Sequence, residues 1–439
     1  MPVKFFIQTF GCQMNKNDSE LIEASLSDRG YLPADDIATA DIAVFNTCSV
    51  RKHAESRALS VIQNHAAEIK KRGGIVVISG CMAQRLGASL IGERLADIIT
   101  GPYQSPEMGE IVSRYINDRR SDTFLSLDIE DFSGRINNAD SYFRQQRWHS
   151  WVTITHGCEN NCSYCIVPYV RGKLISMPSS EIIGHISLLA EKGTTEITLL
   201  GQNVNQYGQD SGDIKFSRLL ELVSEIRGIQ KINFLTSHPM DFGEDIIKTI
   251  AGRSNISRSI HLPLQSGSDR VLRLMNRKYD MTRYHQIVDS IRKHLPDHSI
   301  STDLIAGFPG EEADDFKKTL QAVMDIKFDE SFTYAYSPRD GTPAFLLKEG
   351  VPHHEKMERL NELIKLQRSI SLGKLKKRID MVEEAIIERI SKKSGKSVMG
   401  KTFLNHPVVI DGSKEDIGKK LKIKINGISG STLTGVRIA

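Results

Sequence analysis

Short apolar runs alternate with longer amphipathic stretches along the first hundred residues. The runs 3–8, 42–45 and 75–78 have the length of buried strands, whereas 18–28, 54–71 and 88–95 carry apolar positions at helical spacing with polar faces between them. Strands that alternate with helices pair in parallel, so this part predicts a doubly wound parallel α/β sheet. Between 113 and 148 the pattern lapses; Arg119-Arg120-Ser121-Asp122 and the stretch from Arg135 to Asp140 read as linker and surface loop. From 151 the alternation resumes for about six units, with strands expected at 151–155, 196–200, 231–235, 257–261, 299–304 and 330–334. Helices are expected between them at 180–191, 216–226, 244–250, 269–275 and 311–324, and a further amphipathic helix at 355–370. Six parallel strands, each followed by a helix, predict a partial (β/α)6 TIM-like barrel with its chemistry at the carboxyl ends of the strands. From 375 the chain changes character. Short runs at 384–390, 397–402, 407–410, 421–425 and 432–436, separated by Gly, Asn, Ser and Asp, predict a small five-stranded all-β barrel.

A chain of 439 residues has room for two or three domains. No apolar run approaches the roughly 18 residues of a membrane span, and the run 3–8 lacks the length and cleavage site of an export signal. The expectation is therefore a soluble cytoplasmic protein whose six cysteines stay reduced and available as ligands. The net charge of +4 hides an asymmetry: from Leu375 to Ala439, 14 Lys and Arg stand against seven Asp and Glu, giving +7 in the tail and −3 in the rest. Within the tail, Lys420-Leu421-Lys422-Ile423-Lys424-Ile425 alternates, so the lysines share one strand face. That face suits a nucleic-acid backbone, against the plainer reading of a solvated surface.

Three cysteines follow the first three expected strands, in Thr9-Phe-Gly-Cys12, Asn46-Thr-Cys48 and Ser79-Gly-Cys81. In open α/β sheets, ligands bind beyond the carboxyl ends of the strands. A single such cysteine is commonly a small buried hydrophobe. Three at equivalent positions, each beside Gly or Thr, favour a three-thiolate cluster site. The other three, Cys158, Cys162 and Cys165, form a C-x3-C-x2-C motif inside His156-Gly-Cys-Glu-Asn-Asn-Cys-Ser-Tyr-Cys-Ile-Val-Pro-Tyr-Val-Arg-Gly172. Thiolates suit iron–sulfur clusters or zinc. A zinc site would usually add a fourth Cys or a nearby His, and His156 stands awkwardly close for joint ligation. Disulfide frameworks belong to short secreted chains. Three ligands for four irons would leave one iron open to a small molecule.

This spacing, with Tyr164 before the last cysteine, resembles the cluster motif of the radical S-adenosylmethionine superfamily. Polar residues and glycines end successive barrel strands in Gly201-Gln202-Asn203, Thr236-Ser237-His238-Pro239, Leu262 to Gly267 and Asp303 to Gly310. Under that resemblance Asp303 and Gln265 are the leading candidates for the ribose and amino-acid parts of S-adenosylmethionine. Gln202 and Asn203 join them, and Arg277 is a weaker candidate, since an Arg on a helix face is usually solvated.

Taken whole, the chain resembles the radical S-adenosylmethionine methylthiotransferase family. Residues 3–119 match its N-terminal cluster domain, 144–374 its radical core and 375–438 its TRAM domain. Thr9-Phe-Gly-Cys-Gln-Met-Asn15, Asn46-Thr-Cys-Ser-Val-Arg51, Ser79-Gly-Cys-Met-Ala-Gln-Arg85, Cys165-Ile-Val-Pro-Tyr169, His261-Leu-Pro-Leu-Gln-Ser-Gly-Ser268 and Met275-Asn-Arg-Lys-Tyr279 are similar to the branch that modifies tRNA. Two departures stand out: His156, where relatives commonly have Arg, and Phe403-Leu-Asn-His-Pro407, where the branch carries an Asn-Asn-Arg-type run.

The resemblance implies two 4Fe-4S clusters, one at Cys158, Cys162 and Cys165 and one at Cys12, Cys48 and Cys81. It implies S-adenosylmethionine as radical source at the first cluster, with the 5′-deoxyadenosyl radical taking hydrogen from carbon 2 of an adenine. It also implies S-adenosylmethionine as methyl donor to a sulfur on the second, so both open irons should face one cavity. The substrate would be the isopentenylated (dimethylallyl) adenosine beside the anticodon of tRNA, a loop base that can be splayed into a pocket. An external electron donor such as flavodoxin or ferredoxin is implied, and a monomer with no membrane contact. The alternatives are a relative that modifies an aspartate of a ribosomal protein, disfavoured by Gln13-Met14-Asn15, and a non-catalytic iron–sulfur RNA-binding regulator.

Overall fold

The computed structural model describes residues 2–49, 52–87, 89–93, 95–118, 120, 122–127, 148–347, 350–392 and 395–438. The stretch from Arg135 to Asp140 and the expected boundaries at 119 and 144 lie outside the described residues.

The N-terminal unit is a six-stranded, all-parallel sheet in the spatial order Leu32–Pro33, Lys4–Thr9, Ile42–Thr47, Ile75–Gly80, Ile98–Thr100, Asp122–Phe124. Alternate residues of the central strands serve two separate cores. Ile42, Val44, Ile75 and Val77 pack on one face with Phe5 and Ile22, while Ala43, Phe45, Val76 and Ile78 pack on the other with Ile62 and Ala83. Burial on both faces is why these strands are apolar throughout. Three strands escaped the sequence pattern because two or three residues show no period. Helix Gln13–Asp28 begins immediately after Cys12, five residues earlier than its apolar spacing predicts. The extra turn buries polar Asn15, and Asp18, the residue after that turn, is buried too, although hydropathy reads both as solvent-facing. In place of a helix at 88–95 stand two short ones, Cys81–Leu86 and Ser89–Gly92. Helix Met108–Asp118 occupies the start of the expected linker.

The central unit has the six expected parallel strands, His149–Thr153, Glu196–Leu200, Lys231–Phe234, Ser259–His261, Ser299–Ala306 and Glu330–Ala335. They form two three-stranded sheets joined by a bridge between Ile232 and Ile256, which makes a partial barrel. The first strand lies two residues earlier than predicted. Thr155–His156 leaves it to pair antiparallel with Ile175–Ser176, and the cysteine motif hangs between these two short strands. Helix Met281–His294, absent from the sequence reading, packs Tyr284, Ile287, Val288 and Ile291 into the core.

Helix His353–Lys376 crosses position 374 and delivers Leu375 into the core of the C-terminal unit. That unit is a closed barrel of Val382–Ile390, Ser397–Thr402, Pro407–Asp411, Thr432–Arg437 and Lys420–Ser429. Lys420, Lys422 and Lys424 are exposed and Leu421, Ile423 and Ile425 buried, as the alternation requires. The Phe403-Leu-Asn-His406 loop turns inward rather than toward solvent. Ser257 donates to Phe403 O (2.8 Å), Ser299 to Leu404 O (2.9 Å), and buried Lys231 to Thr402 O and Asn405 Oδ1 (3.0 Å each). All three donors stand at the amino ends of central strands, so the loop plugs the end of the barrel opposite the cysteines. Among the described residues, no helix is long and apolar enough to cross a membrane.

Candidate functional site

Parallel pairing gathers the first three cysteines. Thr47 is in register with Gly80, so Cys48 and Cys81 leave neighbouring strands side by side. Cys12 lies three residues past the end of the adjoining strand and caps helix Gln13–Asp28. Gly11 permits this approach: its φ is +106°, and a Cβ there would collide with Cys48 Cβ. Asn15 Nδ2 braces the turn through Phe10 O (3.0 Å) and Thr47 O (2.8 Å). Hydrogen bonding with Cys48, aided by the Arg171 charge, pulls the exposed Cys12 thiol down to about 6; burial pushes the Cys81 thiol up.

The second triad is local, and its loop is stitched to the barrel mouth. Gly157, at φ +66°, packs so tightly under Lys173 O that no side chain fits. Ser163 reaches Leu274 O and Met275 O through its hydroxyl and amide (2.8 and 2.9 Å), Asn276 Nδ2 donates to Asn161 O (2.7 Å), and Gln206 Nε2 to Asn160 Oδ1 (3.2 Å). Burial raises Cys158 to about 11 and Cys165 to about 12. Thiols so raised need a cationic partner to ionise, as iron supplies.

Each triad has one buried guanidinium on one of its sulfurs. Arg277, 7% exposed, donates through Nη1 to Cys162 Sγ (3.3 Å) and through Nη2 to Pro263 O (3.0 Å), with Tyr279 Oη 3.1 Å from its Nε. It lies past the end of helix Asp269–Leu274, so it is not the solvated helix-face residue its sequence setting suggests. Arg171, 2% exposed, comes from helix Val167–Arg171 of the cysteine motif but donates through Nε to Cys81 Sγ (3.3 Å) in the other triad. Its Nη2 pairs with Asp18 Oδ2 at 2.6 Å. Burial opposes its charge, yet Cys81, Asp18 and Cys12 outweigh it and hold the guanidinium protonated. Nothing in the motif spacing singles out Arg171, because its partners lie 90 and 153 residues away.

Other contacts close the gap between the units. Gln202 Nε2 reaches Met14 Sδ (2.6 Å), Thr153 Oγ1 donates to Asn17 Oδ1 (2.8 Å), and Ile166 and Val170 pack on Cys81. His156 is buried with its ring edge-on to Tyr103 at 5.3 Å. Of the sequence candidates, Asn203 joins the cysteine loop: its Nδ2 donates to Asp241 Oδ2 (2.6 Å), which also engages Asn160. Gln265 and Asp303 form a separate group. Gln265, at φ +72°, donates its backbone N–H to Asp303 O (2.8 Å), and the Asp303 carboxylate lies 3.4 Å from His261 Nε2.

Around this mouth, buried polar atoms lack partners among the described residues: Gln202 Oε1, Asn203 Oδ1, Asn205 Nδ2, Gln206 Oε1, Ser237 Oγ and His238 Nε2. Burial and the Arg277 charge depress His238 to about 2, so its ring is neutral. Its Nδ1 accepts from Met240 N (3.2 Å), which leaves the proton on Nε2. Each such orphan costs about 1–3 kcal/mol unless a ligand satisfies it. The mouth thus fits a polar ligand of many donors and acceptors, as S-adenosylmethionine is. Arg171 Nη1 is likewise unmatched. No three His, Cys, Asp or Glu side chains among the described residues close on a single-ion position. A four-iron cluster is wider than an ion, and two sets of three thiolates, each with a buried donor, suit such clusters.

Two family models match the chain: the Uncharacterized protein family UPF0004 over residues 4–101 and the Radical SAM superfamily over 152–323. The fold is similar to the radical S-adenosylmethionine methyltransferase TsrM from Kitasatospora setae, with a TM-score of 0.58 at 13% identity, covering 79% of this chain and 75% of that one. The tRNA-2-methylthio-N(6)-dimethylallyladenosine synthase of Clostridium botulinum (strain Okra / Type B1) is 38% identical over 99% of this chain and 97% of its own length. The synthase of the same name from Sulfurihydrogenibium sp. (strain YO3AOP1) is 36% identical over 99% of both chains. At that identity and coverage, with both cysteine triads assembled as described, the chain belongs to the tRNA-2-methylthio-N(6)-dimethylallyladenosine synthase family of radical S-adenosylmethionine enzymes.

Proposed function

We propose that the protein transfers a methylthio group to carbon 2 of the isopentenylated adenosine beside the anticodon of tRNA, giving 2-methylthio-N(6)-dimethylallyladenosine. S-adenosylmethionine serves both as methyl donor and as radical source. The observation that carries this reading is the meeting of two cysteine triads across one seam, joined by Arg171, in a chain similar over its whole length to synthases of that name.

In this reading Cys158, Cys162 and Cys165 hold one 4Fe-4S cluster and Cys12, Cys48 and Cys81 the other. When bound, the clusters and S-adenosylmethionine supply one-electron cleavage of a carbon–sulfur bond and the sulfur of the product. The chain binds, orients and shields. Asn203, Gln202 and neutral His238 offer their orphaned atoms to S-adenosylmethionine, Arg277 holds the Cys162 side of the site, and Gln265 and Asp303 line its other flank. The work divides among units 3–119, 144–374 and 375–438. The lysine face of the last meets phosphates of the tRNA stem, while its 403–406 loop faces the barrel and is spent on docking. A flavodoxin- or ferredoxin-like protein delivers electrons to a cytoplasmic monomer.

Nucleoside mass spectrometry tests the reading after anaerobic incubation of reconstituted protein with S-adenosylmethionine, reductant and isopentenylated anticodon stem-loop RNA. A mass gain of one methylthio group on the isopentenyl adenosine is expected. Release of 5′-deoxyadenosine without that gain would redirect the assignment to a protein substrate.

A further inference from the structure

Arg171 stands six residues beyond Cys165, in the radical-core motif, yet its side chain serves the N-terminal triad. One N–H rests on the Cys81 sulfur, a second group pairs with Asp18, and Nη1 remains without a partner among the described residues. Asp18 is 1% exposed and Asn15, which lies 3.5 Å from the same Nη2, is fully buried. Charges this deeply buried are weakly screened, so each acts strongly on any redox group between them. Adding an electron to an iron–sulfur cluster adds negative charge. A donor on a ligand sulfur and a nearby cation stabilise the reduced form, and a nearby carboxylate destabilises it.

We infer that Arg171 is a positioning residue that sets the reduction potential of the cluster at Cys12, Cys48 and Cys81, through its Nε–H on Cys81 and a charge that Asp18 offsets. The inference rests on the two-cluster reading above. It makes the auxiliary cluster's potential depend on a residue carried by the core motif, so correct docking of the two units and correct poise of the cluster become one event. The unmatched Nη1 is the donor left over for a sulfide of that cluster.

The test uses the full chain with Cys158, Cys162 and Cys165 replaced by Ala, so that one cluster remains, reconstituted anaerobically and titrated by EPR against potential. Uptake of about four irons per chain by this parent checks the two-cluster reading. Without it, that reading fails and the inference falls with it. Given uptake, Arg171→Gln should shift the midpoint to more negative potential, Asp18→Asn to more positive, and Arg171→Lys should give a smaller negative shift because charge stays while the Nε donor is lost. A purely mechanical clamp would move Arg171→Gln and Asp18→Asn in the same direction or leave both unmoved, and either result overturns the inference. If Arg171→Gln does not load iron, the Arg171→Lys and Asp18→Asn arms decide on the same signs.

Discussion

The two cysteine triads reach similar chemistry by opposite routes. One is a loop of eight residues, 158–165, complete within its own sequence and fastened to the barrel mouth by Ser163, Asn276 and Gln206. The other exists only because parallel pairing sets three strand ends side by side, with its cysteines 36 and 33 residues apart. Their arginines differ as well. Arg277 has no carboxylate within ion-pair reach among the described residues, whereas Arg171 is matched by Asp18 at 2.6 Å. An unmatched cation favours an added electron more than a matched one does. On the two-cluster reading proposed above, this difference would favour reduction at the Cys158, Cys162 and Cys165 site over the Cys12, Cys48 and Cys81 site.

The comparison breaks most visibly at the cysteines. Cys158→Ala should abolish both 5′-deoxyadenosine release and methylthio insertion; Cys12→Ala should abolish insertion alone. Loss of cleavage in a folded Cys12→Ala protein would end the division of labour. In the metal-free chain the triads should also separate by alkylation. Cys12, at about 6, is mostly thiolate above that pH, while Cys158 at about 11 and Cys165 at about 12 stay protonated at pH 7. Discounting the lower nucleophilicity of a more acidic thiol, iodoacetamide at pH 7 should label Cys12 on the order of a hundredfold faster by peptide mass spectrometry. Equal rates would refute the difference in electrostatic setting.

Two glycines probe the triads one at a time. Gly11→Ala should lower iron content from about eight to about four per chain by closing the Cys48 side, and Gly157→Ala should do the same by wrecking the other loop. EPR distinguishes which cluster survives, and unchanged iron in either variant contradicts the packing described. The smallest effect is expected from Lys420, Lys422 and Lys424 replaced together by Ala. Iron and cleavage should not change, while tRNA affinity falls and its log–log salt slope drops by about two to three. An unaltered slope would remove the lysine face from the tRNA interface.

Much of this was legible in the residues, since short-range order leaves a period. Both sets of barrel-forming strands, the cysteines at strand ends and the Lys420-to-Ile425 alternation all follow from local spacing and burial. The strands Leu32–Pro33, Ile98–Thr100 and Asp122–Phe124 were too short to show one. Helix Gln13–Asp28 hid its first turn because Asn15 is polar yet buried among polar neighbours. The Phe403–His406 segment looked like a departure in a tRNA-binding tail, and the fold uses it as a plug against Lys231, Ser257 and Ser299. The sequence by itself determined the longer periodic elements, the order of units and which thiols could be ligands, because these depend on neighbours along the chain. Only the tertiary structure decided which triad each arginine serves. A guanidinium chooses partners by distance and burial, and Cys81 and Asp18 come within reach of Arg171 only after two units have folded and met.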